Sequence, residues 1–190
     1  MLVDLDVEEP NSGLFIKGAA ETAKVVRNKM IPEWKPDACT LCGICQKVCN
    51  FHAIIKLGKE IMVFPELCHA CFACSELCPV DALPMKPVRM GETTSSELGS
   101  LTFIESRLDI GQEQAVPLIA QTKADAALDH GDTRHRTSDA PPGTSCTGIE
   151  PTTDAAAAIL LTQPTPLGLN HLLLAVDTMA YLGVPCAGVI

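Results

Sequence analysis

Eight of the chain's ten cysteines fall in two runs of identical spacing, and no other feature constrains the fold as tightly. The first run is Cys39-Thr-Leu-Cys42-Gly-Ile-Cys45-Gln-Lys-Val-Cys49. The second is Cys68-His-Ala-Cys71-Phe-Ala-Cys74-Ser-Glu-Leu-Cys78. Both obey C-x2-C-x2-C-x3-C, the spacing of bacterial dicluster ferredoxins. Two-residue gaps let three thiolates from one tight loop converge on three corners of an iron-sulfur cubane. The fourth cysteine is expected to start a short helix leading away and to ligate the other cluster. Cys39, Cys42, Cys45 and Cys78 are therefore assigned to one 4Fe-4S cluster, and Cys68, Cys71, Cys74 and Cys49 to a second. Structural zinc generally takes two ligand pairs across a longer loop, which this spacing does not provide. Disulfides belong to oxidising compartments, and the chain begins Met1-Leu-Val-Asp-Leu-Asp, without a basic leader or a small-residue cleavage site.

The two loops should share backbone features. Gly43 and Ala73 are read as small residues at matching positions, where amides must approach cluster sulfides closely. After each fourth cysteine, Phe51-His-Ala-Ile-Ile and Val80-Asp-Ala-Leu read as similar turns leading into strands. Asn50 stands where the second run has Pro79; proline helps to stop a helix but is no ligand. His52 and His69 are expected beside the clusters or at the surface, since eight thiolates already fill the ligand places. Trp34, the only tryptophan, should pack locally.

The segments on either side read as α/β, and at 47% hydrophobic residues the chain has material for a core. Aromatic residues make up only 4%, so that core must be aliphatic. Ala155–Leu161 is an apolar run of strand length, as for a strand buried on both faces. Thr162–Gly168 carries turn chemistry. From about Gly168 to Leu182 a helix is expected, its apolar face formed by Leu169, Leu172, Leu173, Val176, Met179 and Ala180, with Gly183 as C-cap. A strand then begins at Val184, and strand-helix-strand implies a right-handed parallel crossover. Ala115–Ala127 reads as another helix. Cys146 and Cys186 carry no ligand spacing and are expected as small buried core residues. The longest apolar run is too short to span a bilayer, and the net charge of −9 disfavours broad binding to nucleic acid or anionic membrane. A cytosolic chain with a neutral or basic protein partner is the expectation.

Two segments look like loops at the carboxyl ends of parallel strands, where α/β proteins bind ligands. They are Leu2-Val-Asp4-Leu-Asp6-Val-Glu-Glu-Pro-Asn11 and Ser138-Asp139-Ala-Pro-Pro-Gly143-Thr144-Ser145-Cys146. Each is compatible with a hydrated Mg²⁺ beside a phosphate, and equally with a capped turn bearing a solvated carboxylate.

Taken together, these segments resemble the MinD/ParA-type (MinD superfamily) P-loop ATPases that carry an inserted ferredoxin domain. The resemblance runs through Val3–Asn11 as an Asp-x-Asp strand end, Leu14-Phe-Ile16, the cysteine segment as the insert, Arg107–Gly111 and Ala115–Ile119 as the return, Asp139–Cys146 as Walker B and switch, and Thr162–Gly168 as a later strand-end loop. It implies a parallel-sheet P-loop NTPase-like fold of the MinD/SIMIBI type over residues 1–35 and 90–190, interrupted by an α+β dicluster domain over 36–89. It also implies that Asp139 organises Mg²⁺, that Asp4 and Asp6 position the metal's water and the attacking water, and that Gly143, with Thr144 and Ser145, contacts nucleotide and senses the γ-phosphate.

Two departures qualify what is implied. No G-x-x-x-x-G-K-S/T stretch occurs, and the chain stops before the family's base-contacting Asn. It therefore reads as an internal fragment or as a product with a misplaced start, with ATP and Mg²⁺ expected only for a full-length parent and negligible hydrolysis by this chain alone. Arg134-His-Arg-Thr-Ser138, ahead of Asp139, is poor material for a buried central strand. Three functions follow: nucleotide-linked electron transfer, plain electron carriage, or iron-sulfur cluster assembly and delivery. Each needs a redox or iron-sulfur partner protein, and the resemblance also allows a homodimer paired across nucleotide.

Overall fold

The computed structural model describes residues 1–129 and 135–190. In chain order the elements are β1 (Leu2–Asp4), β2 (Ala20–Pro32), α1 (Ile44–Val48), β3 (Ile54–Leu57), β4 (Glu60–Val63), α2 (Ala73–Glu76), β5 (Met85–Leu98), β6 (Leu101–Leu108), α3 (Val116–Asp129), β7 (Thr137–Asp139), α4 (Cys146–Thr152), β8 (Ala158–Leu160), α5 (Pro166–Leu182) and β9 (Cys186–Val189). The chain divides into two compact units. The first comprises Met1–Val25, Thr93–Arg107 and Ile119–Ile190; the second comprises Val26–Glu92 and Leu108–Leu118. The fold is mixed α/β with parallel strand pairs, as expected for its class.

In the first unit, β1 lies between β6 and β7 and is parallel to both, with Asp4 opposite Glu105 on one side and Asp139 on the other. Val3, Asp4, Leu5 and Val7 are all buried, so the run from β1 into the following loop forms part of the core. Three buried hydroxyls join in a chain, Thr93 to Ser106 at 2.8 Å and Ser106 to Thr122 at 2.6 Å, which satisfies groups that would otherwise be costly to bury. The polar residues before Asp139 fit the place they occupy. β7 is a three-residue, exposed strand at the edge of the sheet, where a polar sequence is tolerated. Arg134, which begins that stretch, lies outside the described residues.

β8, α5 and β9 form the expected parallel strand-helix-strand, with Ala158 opposite Cys186 and Leu160 opposite Val189. The expected burial does not follow. β8 and β9 make a two-stranded sheet of their own, and Ile159 and Leu161 are 57% and 78% exposed. α5 starts at Pro166, inside the stretch read as a turn, because Thr165 Oγ1 accepts the Gly168 N–H at 3.0 Å and proline suits the first helical position. Its inward stripe also differs from the expected one. Leu172, Ala175, Met179 and Leu182 are the more enclosed residues, whereas Leu169, Leu173, Val176 and Ala180 are exposed. Apolar residues cover well over half of this helix's circumference, with Asn170, His171, Asp177 and Tyr181 gathered on the remainder, so spacing alone leaves a wide choice of inward stripe. Gly183 ends it at φ 70°, with the Val184 N–H donating to Met179 O at 2.9 Å. Thr165→Ala should cost about 1 kcal/mol through loss of the N-cap, read as a lower urea midpoint by circular dichroism.

Cys146 and Cys186 are both exposed, contrary to the expectation of buried core thiols. Cys146 opens α4 directly after an exposed turn, and Cys186 starts β9, a strand of the two-stranded sheet whose residues are mostly exposed.

The second unit is built on an internal repeat. Short 3-10 turns at Pro36–Ala38 and Pro65–Leu67 lead into the two cysteine loops, each closed by a bond from the cysteine N–H to the proline carbonyl, 3.1 Å at Cys39 and 3.2 Å at Cys68. The halves then exchange strands. Phe64 N–H donates to Ala53 O at 2.8 Å, and Lys35 N–H, at the equivalent position, donates to Ala82 O at 2.9 Å. Ala53 and Ala82, with Ile54 and Leu83 after them, are buried to within 2% exposure. This pseudo-twofold pairing places the end of each half beside the beginning of the other.

Candidate metal centre

The repeat shapes two cavities in the second unit. One is lined by Cys39, Cys42, Cys45 and Cys78 together with Ile61, Ala82 and Leu83. The other is lined by Cys49, Cys68, Cys71 and Cys74 together with Phe51, His69 and Phe72. Each cavity thus takes three thiols from one run and the fourth from the other. Among the described residues no three His, Cys, Asp or Glu side chains converge tightly enough for a single ion. A cubane differs in its demand, because each thiolate binds a separate iron and the four ligands surround a volume rather than a point. Four soft thiol donors around an otherwise apolar cavity match the chemistry of an iron-sulfur cluster.

The loops hold an unusual backbone at equivalent positions. Leu41 and Ala70 have φ of 57° and 52°, Gly43 and Phe72 have 78° and 64°, and His52 and Asp81 have 53° and 50°. The counterpart of Gly43 is therefore Phe72, not Ala73 as the sequence suggested; Ala73 corresponds to Ile44. Left-handed residues turn successive N–H groups inward and form anion-binding concavities, so the requirement is on φ rather than on side-chain size. Sulfur atoms receive these donors: Leu41 N–H to Cys39 Sγ at 3.4 Å and Ala82 N–H to Cys78 Sγ at 3.2 Å.

A second correction concerns the helices. The third cysteine of each run lies inside the short helix, Cys45 in α1 and Cys74 in α2, while Cys49 and Cys78 follow it. The fourth cysteine does not start a helix leading away. The helix spans most of the three-residue gap and delivers the fourth thiol to the opposite cavity. α1 ends before Asn50 and α2 before Pro79, so the first helix stops at the equivalent place without a proline.

Burial pushes the Cys45 and Cys68 thiols above the ordinary value. The Cys74 thiol is pushed up to about 11, first by burial and then by the neighbouring Cys68, Cys49 and Cys71 charges. The Cys42 thiol is lowered by the Ile44 N–H. Four thiolates crowded into an apolar cavity repel one another, and a bound cationic cluster core relieves that repulsion. His69 stacks on Phe51 with ring centroids 3.7 Å apart, and its imidazole is held low by burial and by Lys29. His52 is exposed. Trp34 packs on the core formed by Cys45, Ile54, Ile61, Cys74 and Leu83, its indole N–H buried without a partner among the described residues.

In the first unit, Asp4 and Asp139 stand side by side at the carboxyl ends of β1 and β7. The fully buried Asp4 carboxylate accepts the N–H groups of Asp6 at 3.0 Å, Asn11 at 3.1 Å and Ser12 at 3.0 Å. It organises its own loop, and most of its lone pairs are engaged in doing so. Ser12 Oγ donates to Asp139 Oδ2 at 2.6 Å. Burial raises the Asp6 carboxyl; the Glu9 N–H opposes this, and the charges of Asp4, Asp139 and Glu8 add to the rise. These carboxylates do not converge into a metal-holding group among the described residues. Gly143, at φ 98°, Thr144 and Ser145 form an exposed turn ahead of α4.

Residues 31–79 match the family of 4Fe-4S dicluster domains. This segment is an iron-sulfur domain. Likenesses to individual proteins are weak or partial. The chain is 32% identical over 100 residues to the mitochondrial NADP-dependent pyruvate dehydrogenase of Euglena gracilis, covering 38% of this chain and 6% of that protein. It is 27% identical over 121 residues to pyruvate:ferredoxin oxidoreductase of Moorella thermoacetica, covering 49% and 10%. An uncharacterized protein of Methanocaldococcus jannaschii is 23% identical over 192 residues, covering 97% of this chain and 65% of the relative. The chain thus spans under two thirds of each of these proteins. None of these likenesses supplies a P-loop ATPase link. No helix among the described residues is long and apolar enough to cross a membrane.

Proposed function

We propose that the chain is a cytosolic electron carrier with two 4Fe-4S clusters, one on Cys39, Cys42, Cys45 and Cys78 and the other on Cys49, Cys68, Cys71 and Cys74. The observation that carries this reading is the division of eight thiols between two cavities, each completed by the fourth cysteine of the opposite run. Adjacent cubanes relay single electrons at low potential. The protein's part is to hold the thiolates, aim N–H groups at the sulfurs and exclude water with Ile54, Ile61 and Leu83. The dicluster segment, residues 36–89, sits as an insert between α/β segments at 1–35 and 90–190. Similarity to two pyruvate oxidoreductases, one named for ferredoxin, supports exchange with a redox partner protein. The acidic surface suits docking on a neutral or basic one.

A nucleotide-linked version of this function is favoured by one observation, the pairing of Asp4 with Asp139 at adjacent strand ends. In that version Asp139 holds Mg²⁺, Asp6 orients water, and Gly143, Thr144 and Ser145 face the phosphates, with ATP and a homodimer belonging to a longer parent chain. Anaerobically reconstituted protein should contain about eight irons and eight sulfides per chain, the content of two such clusters. It should reduce reversibly, keep its clusters in the presence of an apo-acceptor, and give no phosphate release with MgATP. Zinc in place of iron would refute the carrier reading, transfer of the clusters to the acceptor would make the protein a delivery factor, and MgATP turnover would show the isolated chain to be an ATPase.

A further inference from the structure

The two halves of the repeat differ in one buried charge. Lys29, in β2, is only 2% exposed, and lysine is almost never buried so completely unless paired. Its Nζ donates to the carbonyl of Pro65 at 2.9 Å. That carbonyl also accepts the Cys68 N–H at 3.2 Å, so the ammonium sits against the turn that leads into the second cysteine loop. Ile31, two residues along β2, packs in one apolar cluster with Ala53 and Cys68. Burial lowers the Lys29 pKa, while the charges facing it, Cys68, Glu66 and Glu113, oppose that shift; His69 also feels the ammonium.

At the equivalent place in the first half, the Pro36 carbonyl accepts the Cys39 N–H. A lysine of that half, Lys56, donates its ammonium to Leu41 O, but Lys56 is solvent-exposed. Water screens an exposed charge strongly and a buried one weakly. Reduction adds one negative charge to a cluster, and a nearby cation stabilises the reduced form.

We propose that Lys29 is a potential-setting residue that raises the reduction potential of the Cys49/Cys68/Cys71/Cys74 cluster above that of its neighbour. This inference rests on the electron-carrier reading. When an external low-potential donor supplies one electron to the pair, that electron resides on the Cys68-side cluster. If it arrives first at the Cys39-side cluster it moves on, so that one cluster loses an electron and the other gains it. No bond to the protein is made or broken, and Lys29 keeps its proton.

The test is a mediated dithionite titration of the full chain, loaded with both clusters and followed by electron paramagnetic resonance. Lys29→Met should shift the inter-cluster electron distribution at least tenfold towards the Cys39-side cluster, which is about 59 mV for a one-electron couple. Lys29→Arg should stay near wild type, and Lys56→Met should have a smaller effect. A Lys29→Met protein with full iron content and an unchanged distribution overturns the proposal. A second measurement needs no Lys29 variant. The signal of the singly reduced native protein should be the one altered by Cys71→Ser; if it is the one altered by Cys42→Ser, the proposal is wrong. Native material without iron and sulfide would remove the carrier reading itself, a result visible before any potential is measured.

Discussion

Cys78→Ala should damage the cluster held by Cys39, Cys42 and Cys45 and leave the cluster of its own sequence neighbours, Cys68, Cys71 and Cys74, intact. Cys78 follows α2, yet its thiol lines the cavity of the other loop. The Ala82 N–H donates to its sulfur at 3.2 Å, and Ala82 is itself held by the Lys35 N–H, just ahead of the first loop. Strand exchange therefore fixes which cluster loses its fourth corner. Iron should fall from about eight per chain to between about four and seven, according to whether one iron or the whole cubane is lost. The reduced-state spectrum should lose the same component that Cys42→Ala removes, and Cys49→Ala should act on the other component. If Cys78→Ala and Cys71→Ala instead remove the same component, the exchange of ligands is wrong.

Asp4→Ala should destabilise the first unit by about 3 kcal/mol or more. The carboxylate is fully buried and accepts three backbone N–H groups from the loop that follows β1. Hydrogen bonds to a charged group contribute about 1.5–3 kcal/mol each, and donors left without a partner in the interior cost more than the bond itself was worth. Asp4→Asn should fall between, because one carbonyl oxygen remains. Asp139→Ala removes an exposed carboxylate that receives only the Ser12 hydroxyl among the bonds described, so it should cost less than about 1 kcal/mol. Urea unfolding followed by circular dichroism compares the three. Equal losses for Asp4→Ala and Asp139→Ala would remove the loop-organising role of Asp4. The experiment also bears on the nucleotide-linked version, in which Asp4 must spare a lone pair for water.

The cysteine runs were legible because their chemistry is local. A two-residue gap fixes how three sulfurs can converge whatever surrounds them, and residues 31–79 match a 4Fe-4S dicluster domain. The β8-α5-β9 order and the Gly183 cap were legible for the same reason, since periodicity and capping act within a few residues. Side-chain size was a poor guide to the loop backbone. Phe72 adopts the left-handed conformation that glycine provides at position 43, because the fold over-determines it. The inward face of α5, and the exposure of Cys146 and Cys186, depend on which layers cover them, and hydrophobicity does not encode that.

The amino-acid order by itself determined that eight cysteines fall in two runs of one spacing, and that acidic residues end two strands, because spacing and strand-end chemistry are short-range. Only the tertiary structure decided that Asp4 is engaged by its own loop, that Cys49 and Cys78 each follow a helix rather than start one, and that Lys29 is buried against the turn leading into the second cysteine loop. Those outcomes depend on contacts between residues distant in the chain, and burial sets the strength of a charge only after those contacts have formed.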